Sequence, residues 1–275
     1  MAAQPAGQPR QGDAQPGNVN VRIARGLPVG SERQPRPVGY RFRAHLSSLT
    51  RRAQYTGARR RSGPGVARTL PPAIVTDDRY MDDIAPDALT GRLLVATPLL
   101  EDPNFHRTVV LVVEHEPEQG TLGVVLNRPT QVPVGQVLEP WTELATDPPV
   151  VFTGGPVSPN SALALALVPG TDEPVGWHPL DGGAPAMTRL GLVDLDAPPG
   201  LLAPAITSLR VYAGYAGWSA GQLSTEIEEG AWYVVPAEPA DAFSAQPGRL
   251  WPVVLRRQGG ELAYVATYPE DPSLN

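Results

Sequence analysis

The chain of 275 residues contains no cysteine. That excludes disulfides, thiolate nucleophiles and Cys-based zinc or iron–sulfur sites, and it fits a reducing compartment. Lysine is absent too, so all 22 basic residues are arginine. No apolar run approaches the roughly 20 residues that a bilayer-spanning helix needs. The N-terminus shows no charged stretch followed by an apolar one, so no secretory signal is read there. There is no GxxxxGK[ST] and no GxGxxG, which removes the usual nucleotide-binding signatures. What is abundant is proline (33) and glycine (28), the residues of turns.

Charge divides the chain. Residues 1–70 carry 13 of the 22 arginines and 2 of the 28 acidic residues, a net of +11. Residues 71–275 hold the other 9 and 26, a net of −17. Residues 1–80 have no sustained period and are rich in Pro, Gly, Gln and Arg, as in Gln8–Gly12 and Arg33–Pro37. Such a composition buries too little apolar surface to offset the entropy of ordering, and it reads as a disordered basic tail. Three readings of that tail stand. Arg51, Arg52, Arg59, Arg60 and Arg61 could form a nucleic-acid arm. An Arg-rich, acid-poor segment could be a targeting presequence. The segment could also lie outside the native protein, with Met81 as the start and text typical of GC-rich DNA upstream of it.

Residues 81–275 have the size of one domain. Arg92–Ala96 and Thr108–Val113 read as buried strands, and Thr121–Leu126 as the return strand of an antiparallel hairpin. Val134, Val137, Leu138 and Trp141 have the spacing of one helical face, predicting a helix over 134–141. Further strands are expected at 150–152, 162–168, 188–195, 208–215 and 231–235. Helices are expected at 219–230 and 248–257, and 169–186 reads as loop. Hairpins mixed with crossovers favour α+β with a mixed sheet over a doubly wound fold.

Gly217-Trp218-Ser219-Ala220-Gly221 matches the G-x-S-x-G nucleophile elbow at an expected strand–helix junction. A serine nucleophile needs a histidine base, which in that architecture comes after it in the chain. Here His45, His106, His115 and His178 all precede Ser219. Ser219 with Gln222 three residues on also has the pattern of a capping box, and that is the reading preferred. Glu114-His115-Glu116 brings carboxylate and imidazole together, but neighbours on a strand face opposite ways. His115 is therefore expected to hydrogen-bond within the hairpin rather than bind metal. Arg107 is expected to anchor the turn before the central strand through a carboxylate. Tyr212, Tyr215, Trp218 and Trp232 are expected in or at the edge of the core.

Asn127-Arg128-Pro129 and Thr153-Gly154-Gly155-Pro156 each come directly after a strand. Glycines there could let backbone approach a ligand or form an anion nest, or could simply make a turn that only Gly allows. The net −17 of residues 71–275 opposes non-specific contact with nucleic-acid phosphates.

Four stretches in order resemble the AlgH/YqgE family of bacterial proteins. They are Gly91–Pro98 with Asp102-Pro103-Asn104-Phe105; Gly123–Pro129; Gly154-Gly155-Pro156; and Gly214–Trp218 through Gly221-Gln222-Leu223, then Ala231-Trp232. The resemblance spans about 190 residues and starts near Met81–Gly91. It implies an α+β fold with a mixed, partly barrel-like sheet and flanking helices, in a cytoplasmic protein, and it attaches no reaction or ligand. Many relatives of this type carry an acidic residue after Gly-Gln-Leu, where this chain has Ser224.

The sequence thus leads to a non-enzymatic regulatory or protein-interaction role with an unidentified protein partner. The candidate surface is Asn127, Arg128, Gly154, Gly155 and Pro156. The alternative is a small-ligand binder, or an enzyme on an anionic substrate, at the same loops. No catalytic residue, metal, cofactor or membrane contact is expected, and no direct nucleic-acid contact by the acidic domain.

Overall fold

The computed structural model describes residues 89–171, 173–180, 187 and 189–269. The tail, the Met81 start and parts of the 169–186 and 188–195 expectations lie outside the described residues. The elements among the described residues are ten strands and a set of short helices. The strands are β1 (Arg92–Ala96), β2 (Val109–Glu116), β3 (Gly120–Val125), β4 (Pro129–Pro133), β5 (Val150–Thr153), β6 (Val157–Leu167), β7 (Trp177–Pro179), β8 (Leu190–Val193), β9 (Ser208–Trp218) and β10 (Trp232–Pro236). The α-helices are α1 (Val134–Val137), α2 (Pro199–Leu202), α3 (Gln222–Glu228), α4 (Leu250–Gln258) and α5 (Gly260–Val265). Single 3-10 segments cover Glu139–Leu144, Pro239–Phe243 and Pro247–Arg249.

The strands form one sheet in the order β10-β1-β2-β3-β9-β6-β8-β7, with β5 on β9 and β4 on β5. Every pair is antiparallel except β5–β9. The sheet curls into an incomplete barrel with helices against it, so the fold is α+β with a mixed, partly barrel-like sheet. β1 shows why it reads as a continuous apolar run. Leu93 and Val95 face the interior of the curl, with Trp251, Leu255 and Leu262 of the C-terminal helices. Leu94 and Ala96 face the other way, with Trp218, Leu223 and Trp232. A strand covered on both faces has no polar side to show.

β9 is the spine. Its last residues, Ala216–Trp218, pair with β3, while Ser208–Tyr215 pair with β6. Gly214 sits at the change of partner with φ +72°, a conformation that favours glycine. A separate lobe buries Val134, Leu138, Trp141, Ala164, Val193, Leu202 and Val211 together.

Two expectations are corrected. The helix expected over 134–141 is a single turn, Val134–Val137, with the 3-10 segment after it from Glu139. The apolar spacing was sound, since Val134, Leu138 and Trp141 are all buried. Pro140 removes a backbone donor and disfavours helical backbone at the residue before it, which ends the α-helix. The Ser219 cap is also corrected. α3 starts at Gln222, and its N-cap is Gly221 at φ +73° with no side-chain cap bond. Strand β9 runs on to Trp218, which pushes Ser219 and Ala220 into an exposed turn. β4, β7, α2 and α5 were not foreseen.

Candidate interaction surface

Three chain segments converge at the start of β2. In the first, the Asp102 carboxylate accepts from the backbone N–H and the side-chain amide of Asn104 at 2.8 and 3.0 Å. The His106 N–H donates to the Asp102 carbonyl at 2.7 Å, closing a tight turn. Arg107 then adopts φ +53°, which is uncommon for a non-glycine residue. Its guanidinium lies 4.0 Å from the ring centroid of Trp251 and donates to the Tyr268 and Pro269 carbonyls at 2.9 and 3.3 Å. Two carbonyls and an indole face are thus among the partners that anchor Arg107.

The second segment is Asn127-Arg128. Asn127 is 8 % exposed. Its amide oxygen accepts from the Val109 N–H at 3.0 Å, and its amide nitrogen donates to the Arg107 carbonyl at 2.9 Å. This side chain ties the β3 exit to the β2 start. Arg128 is half-buried and donates to the His106 carbonyl at 2.6 Å. No carboxylate pairs with Arg128 among the described residues.

The third segment is 153–156. The Thr153 N–H donates to the Arg128 carbonyl at 2.8 Å, so the candidate loops are neighbours. Gly154 donates to the Ala213 carbonyl and accepts from Val125, both at 2.8 Å. A Cβ on Gly154 would lie 2.3 Å from the Gly214 oxygen, and one on Gly155 2.2 Å from the Tyr215 carbonyl carbon. These glycines exist for backbone-on-backbone packing against β9 at its bend. Both are buried, whereas Thr153 is exposed and Pro156 half-buried. The outward face of the junction is thus Arg128 and Pro129, with Thr153, Pro156 and the 102–106 turn.

The elbow-like serine has a different setting. Its hydroxyl donates to the Gln222 amide oxygen at 3.1 Å, and so does its backbone N–H, also at 3.1 Å. His115 Nδ1 is 2.7 Å from Thr121 Oγ1, the hairpin bond expected of it. Both residues nevertheless line one cleft of about 240 Å³, with Glu116, Leu223 and Ser224. The sequence argument from chain order missed that proximity, which arises because the β2–β3 tip packs on the turn after β9. Among the described residues, no group of three or more His, Asp or Glu could hold a metal ion.

Two polar residues escaped sequence reasoning. Glu226 Oε2 accepts from the indole N–H groups of both Trp218 and Trp232 at 2.9 Å, and Oε1 accepts from Gln222 at 3.0 Å. Phe105 stacks on Trp218 at 6.0 Å and meets Trp232 edge-on at 5.5 Å. Arg210 is 1 % exposed. It donates to the carbonyls of Ala242, Ser244 and Asp147 and lies 4.4 Å from the Phe152 ring centroid. Burial lowers its pKa and raises that of the neighbouring Tyr212 phenol. Both residues join loops to the sheet rather than face solvent.

A model of the AlgH-like family matches residues 93–263. The chain belongs to the AlgH-like family. It is similar to a UPF0301 protein of Streptomyces coelicolor, 61 % identical over 192 residues, covering 68 % of this chain and 96 % of that one. A UPF0301 protein of Thermobifida fusca is 56 % identical over 201 residues, covering 72 % and 100 %. Among solved structures, a Corynebacterium diphtheriae protein aligns with TM-score 0.62 at 31 % identity, over 71 % of this chain and all of that one. The solution structure of the AlgH protein from Pseudomonas aeruginosa aligns with TM-score 0.51 at 30 % identity, over 68 % and 97 %. The AlgH-like match supplies family and fold, and it leaves the chemistry to be argued from the residues.

Proposed function

We propose that this AlgH-like protein is a non-enzymatic, cytoplasmic interaction protein, regulatory in role, that presents the Arg128 junction to a protein partner. The observation that carries the reading is Arg128 itself. It is a half-buried cation, held in place by a backbone carbonyl, with no carboxylate beside it among the described residues, and residues 71–275 around it carry a net of −17. A positioned charge without an internal counter-charge is suited to an acidic group on a partner. No helix among the described residues is long and apolar enough to cross a membrane. The acidic balance disfavours a nucleic-acid partner.

The test is a pull-down from the native host with wild type and Arg128→Ala, after matching their thermal midpoints. A partner captured by wild type and lost with Arg128→Ala supports the reading. Identical partner lists sink it. The same unpaired cation favours a second reading, a small anionic ligand or substrate. A thermal-shift screen of anionic metabolites decides between them, since a shift abolished by Arg128→Ala would put the ligand in first place. The Gly154 N–H is already committed to Ala213 and is not free to join an anion nest, and the protein partner is preferred.

A further inference from the structure

The cleft of about 240 Å³ lies at the other end of the β2–β3 hairpin from Arg128. β2 has eight residues at about 3.3 Å each, which puts the two places roughly 25 Å apart. One wall of the cleft is the hairpin tip. The tip is seated on β9, since a Cβ on Gly120 would lie 2.3 Å from the Trp218 oxygen. The His115 ring is held there by Thr121, whose hydroxyl oxygen is 2.7 Å from Nδ1. The other wall is the turn into α3. There the Ser219 hydroxyl gives its proton to Gln222, whose own amide donates to Glu226 at 3.0 Å. Leu223 and Pro117 add apolar surface. The rim is open, with Ser219, Gly221 and Ser224 all exposed.

We propose that this cleft binds a short aliphatic amine that carries a second hydrogen-bond donor at its other end. It is a separate site from the Arg128 surface and takes the opposite charge. The lining chemistry selects the ligand. It offers the Glu116 carboxylate, the His115 imidazole and the Ser219 and Ser224 hydroxyls, and no arginine is among the described residues that line it. An ammonium group meets a carboxylate there, within residues 71–275, whose net charge of −17 attracts cations. Gln119 donates to the same carboxylate, and a carboxylate has about four acceptor positions. Ser219 has given its proton to Gln222, so its oxygen meets a ligand as an acceptor. Each wall thus presents an acceptor, which calls for a donor at each end of the ligand. Leu223 and Pro117 suit the methylenes between those ends. The volume is that of about eight waters at roughly 30 Å³ each, which limits the ligand to roughly ten non-hydrogen atoms.

The experiment is a ¹H–¹⁵N titration of the full chain with putrescine, aminobutanol and butylamine at constant ionic strength. Putrescine is expected to give saturable shifts at amides within 115–121 and 219–224, while those of 126–128 stay in place. Aminobutanol should shift the same amides. Weaker binding than putrescine assigns the far donor to a second ammonium, and equal binding assigns it to a hydroxyl. Butylamine, which lacks the far donor, should bind about fivefold more weakly or worse. Glu116→Gln should weaken putrescine by about fivefold or more. Ser224→Leu, which fills the cleft, should abolish the shifts, and Arg128→Gln should leave them unchanged. A dispersed spectrum with unchanged core peaks verifies that each variant is folded. The proposal is overturned if no shift saturates below about 50 mM putrescine. It is equally overturned if Glu116→Gln or butylamine binds as tightly as wild type with putrescine. Shifts reproduced by tetramethylammonium chloride would also overturn it, for then only charge screening is seen. None of these results touches the pull-down comparison, which reads the Arg128 surface alone.

Discussion

Arg107 lies with its guanidinium 4.0 Å from the centre of the Trp251 ring while its backbone sits at φ +53°. Left-handed backbone at a residue with a Cβ costs of order 1–3 kcal/mol and persists only where the surroundings impose it. The Asn127 amide on the Arg107 carbonyl is one such restraint. The cation–π contact and two carbonyl bonds add to it. Arg107→Ala is expected to destabilise by about 1–3 kcal/mol through their loss. Arg107→Gly loses the same contacts but relieves the strain, so it should be more stable than the alanine variant by up to about 1 kcal/mol. Urea midpoints rank the two. Alanine above glycine would contradict the left-handed assignment.

Glu226 is the acceptor that lets two tryptophans be buried. Removing it leaves two indole N–H groups without a partner, each costing about 1–3 kcal/mol. Glu226→Ala should therefore lower stability by roughly 2–4 kcal/mol. Glu226→Gln keeps the shape and one strong acceptor, and should lose about half as much. Denaturant titration tracked by tryptophan emission reads both variants. Equal stability of Glu226→Ala and wild type would show that the two indoles do not depend on this carboxylate.

The sequence was legible where local pattern and tertiary demand agree. Leu93–Ala96 reads as a strand because both faces are buried, and the β2–β3 hairpin arises from β-branched runs around a polar loop. It was illegible where the partner is remote. Arg107 meets a carbonyl 161 positions away, and nothing near it announces that bond. Arg210 looks like an ordinary polar residue in an alternating strand, yet it is among the largest fully buried side chains. Gly154 and Gly155 stand out in the sequence, but their reason, the backbone of β9 at Gly214 and Tyr215, lies in another part of the chain. Ser219 misled because Ser with Gln three residues on fits a cap, while the backbone chose Gly221. Asn127 and Arg128 look alike from sequence. In the fold one is a buried tie between strands, and the other presents charge at the surface.

Tyr212 sets an alkaline limit. Burial pushes its phenol well above the ordinary value of 10.0, and the Arg210 charge offsets this only in part. In the unfolded chain the phenol titrates near its ordinary value. A group with a raised folded pKa contributes stability that is whole below the unfolded pKa and is lost as pH rises through the folded one. Stability should therefore hold to about pH 10 and then fall, because unfolding releases the proton. Tyr215 and Tyr233 are raised in the same direction by desolvation. Tyr212→Phe removes the largest contribution and should flatten the decline without abolishing it. Its cost at pH 8, from the 3.3 Å bond to the Ala242 carbonyl, should be about 0.5–1.5 kcal/mol. Urea midpoints at pH 8 and pH 11 give the comparison. An identical decline in wild type and Tyr212→Phe would rule the phenol out as its source.

Two glycines separate packing from backbone conformation. At Gly154 a methyl group would sit 2.3 Å from the Gly214 oxygen, with Tyr212 and Val124 side chains at 3.0 Å. The obstruction is backbone in the middle of the sheet, so it cannot swing aside. Gly154→Ala should cost about 3 kcal/mol or more, since forced overpacking alone reaches about 1–3 kcal/mol. At Gly221, φ is +73° but nothing lies within 4 Å of a new Cβ. Gly221→Ala meets only the left-handed penalty of about 1–2 kcal/mol. The two changes are chemically identical, so their difference measures how tightly the 153–156 turn is seated on β9. If thermal melts place both variants at the same midpoint, the backbone-on-backbone contact is not what holds that loop, and the position of Arg128 beside it must be fixed from the His106 side alone.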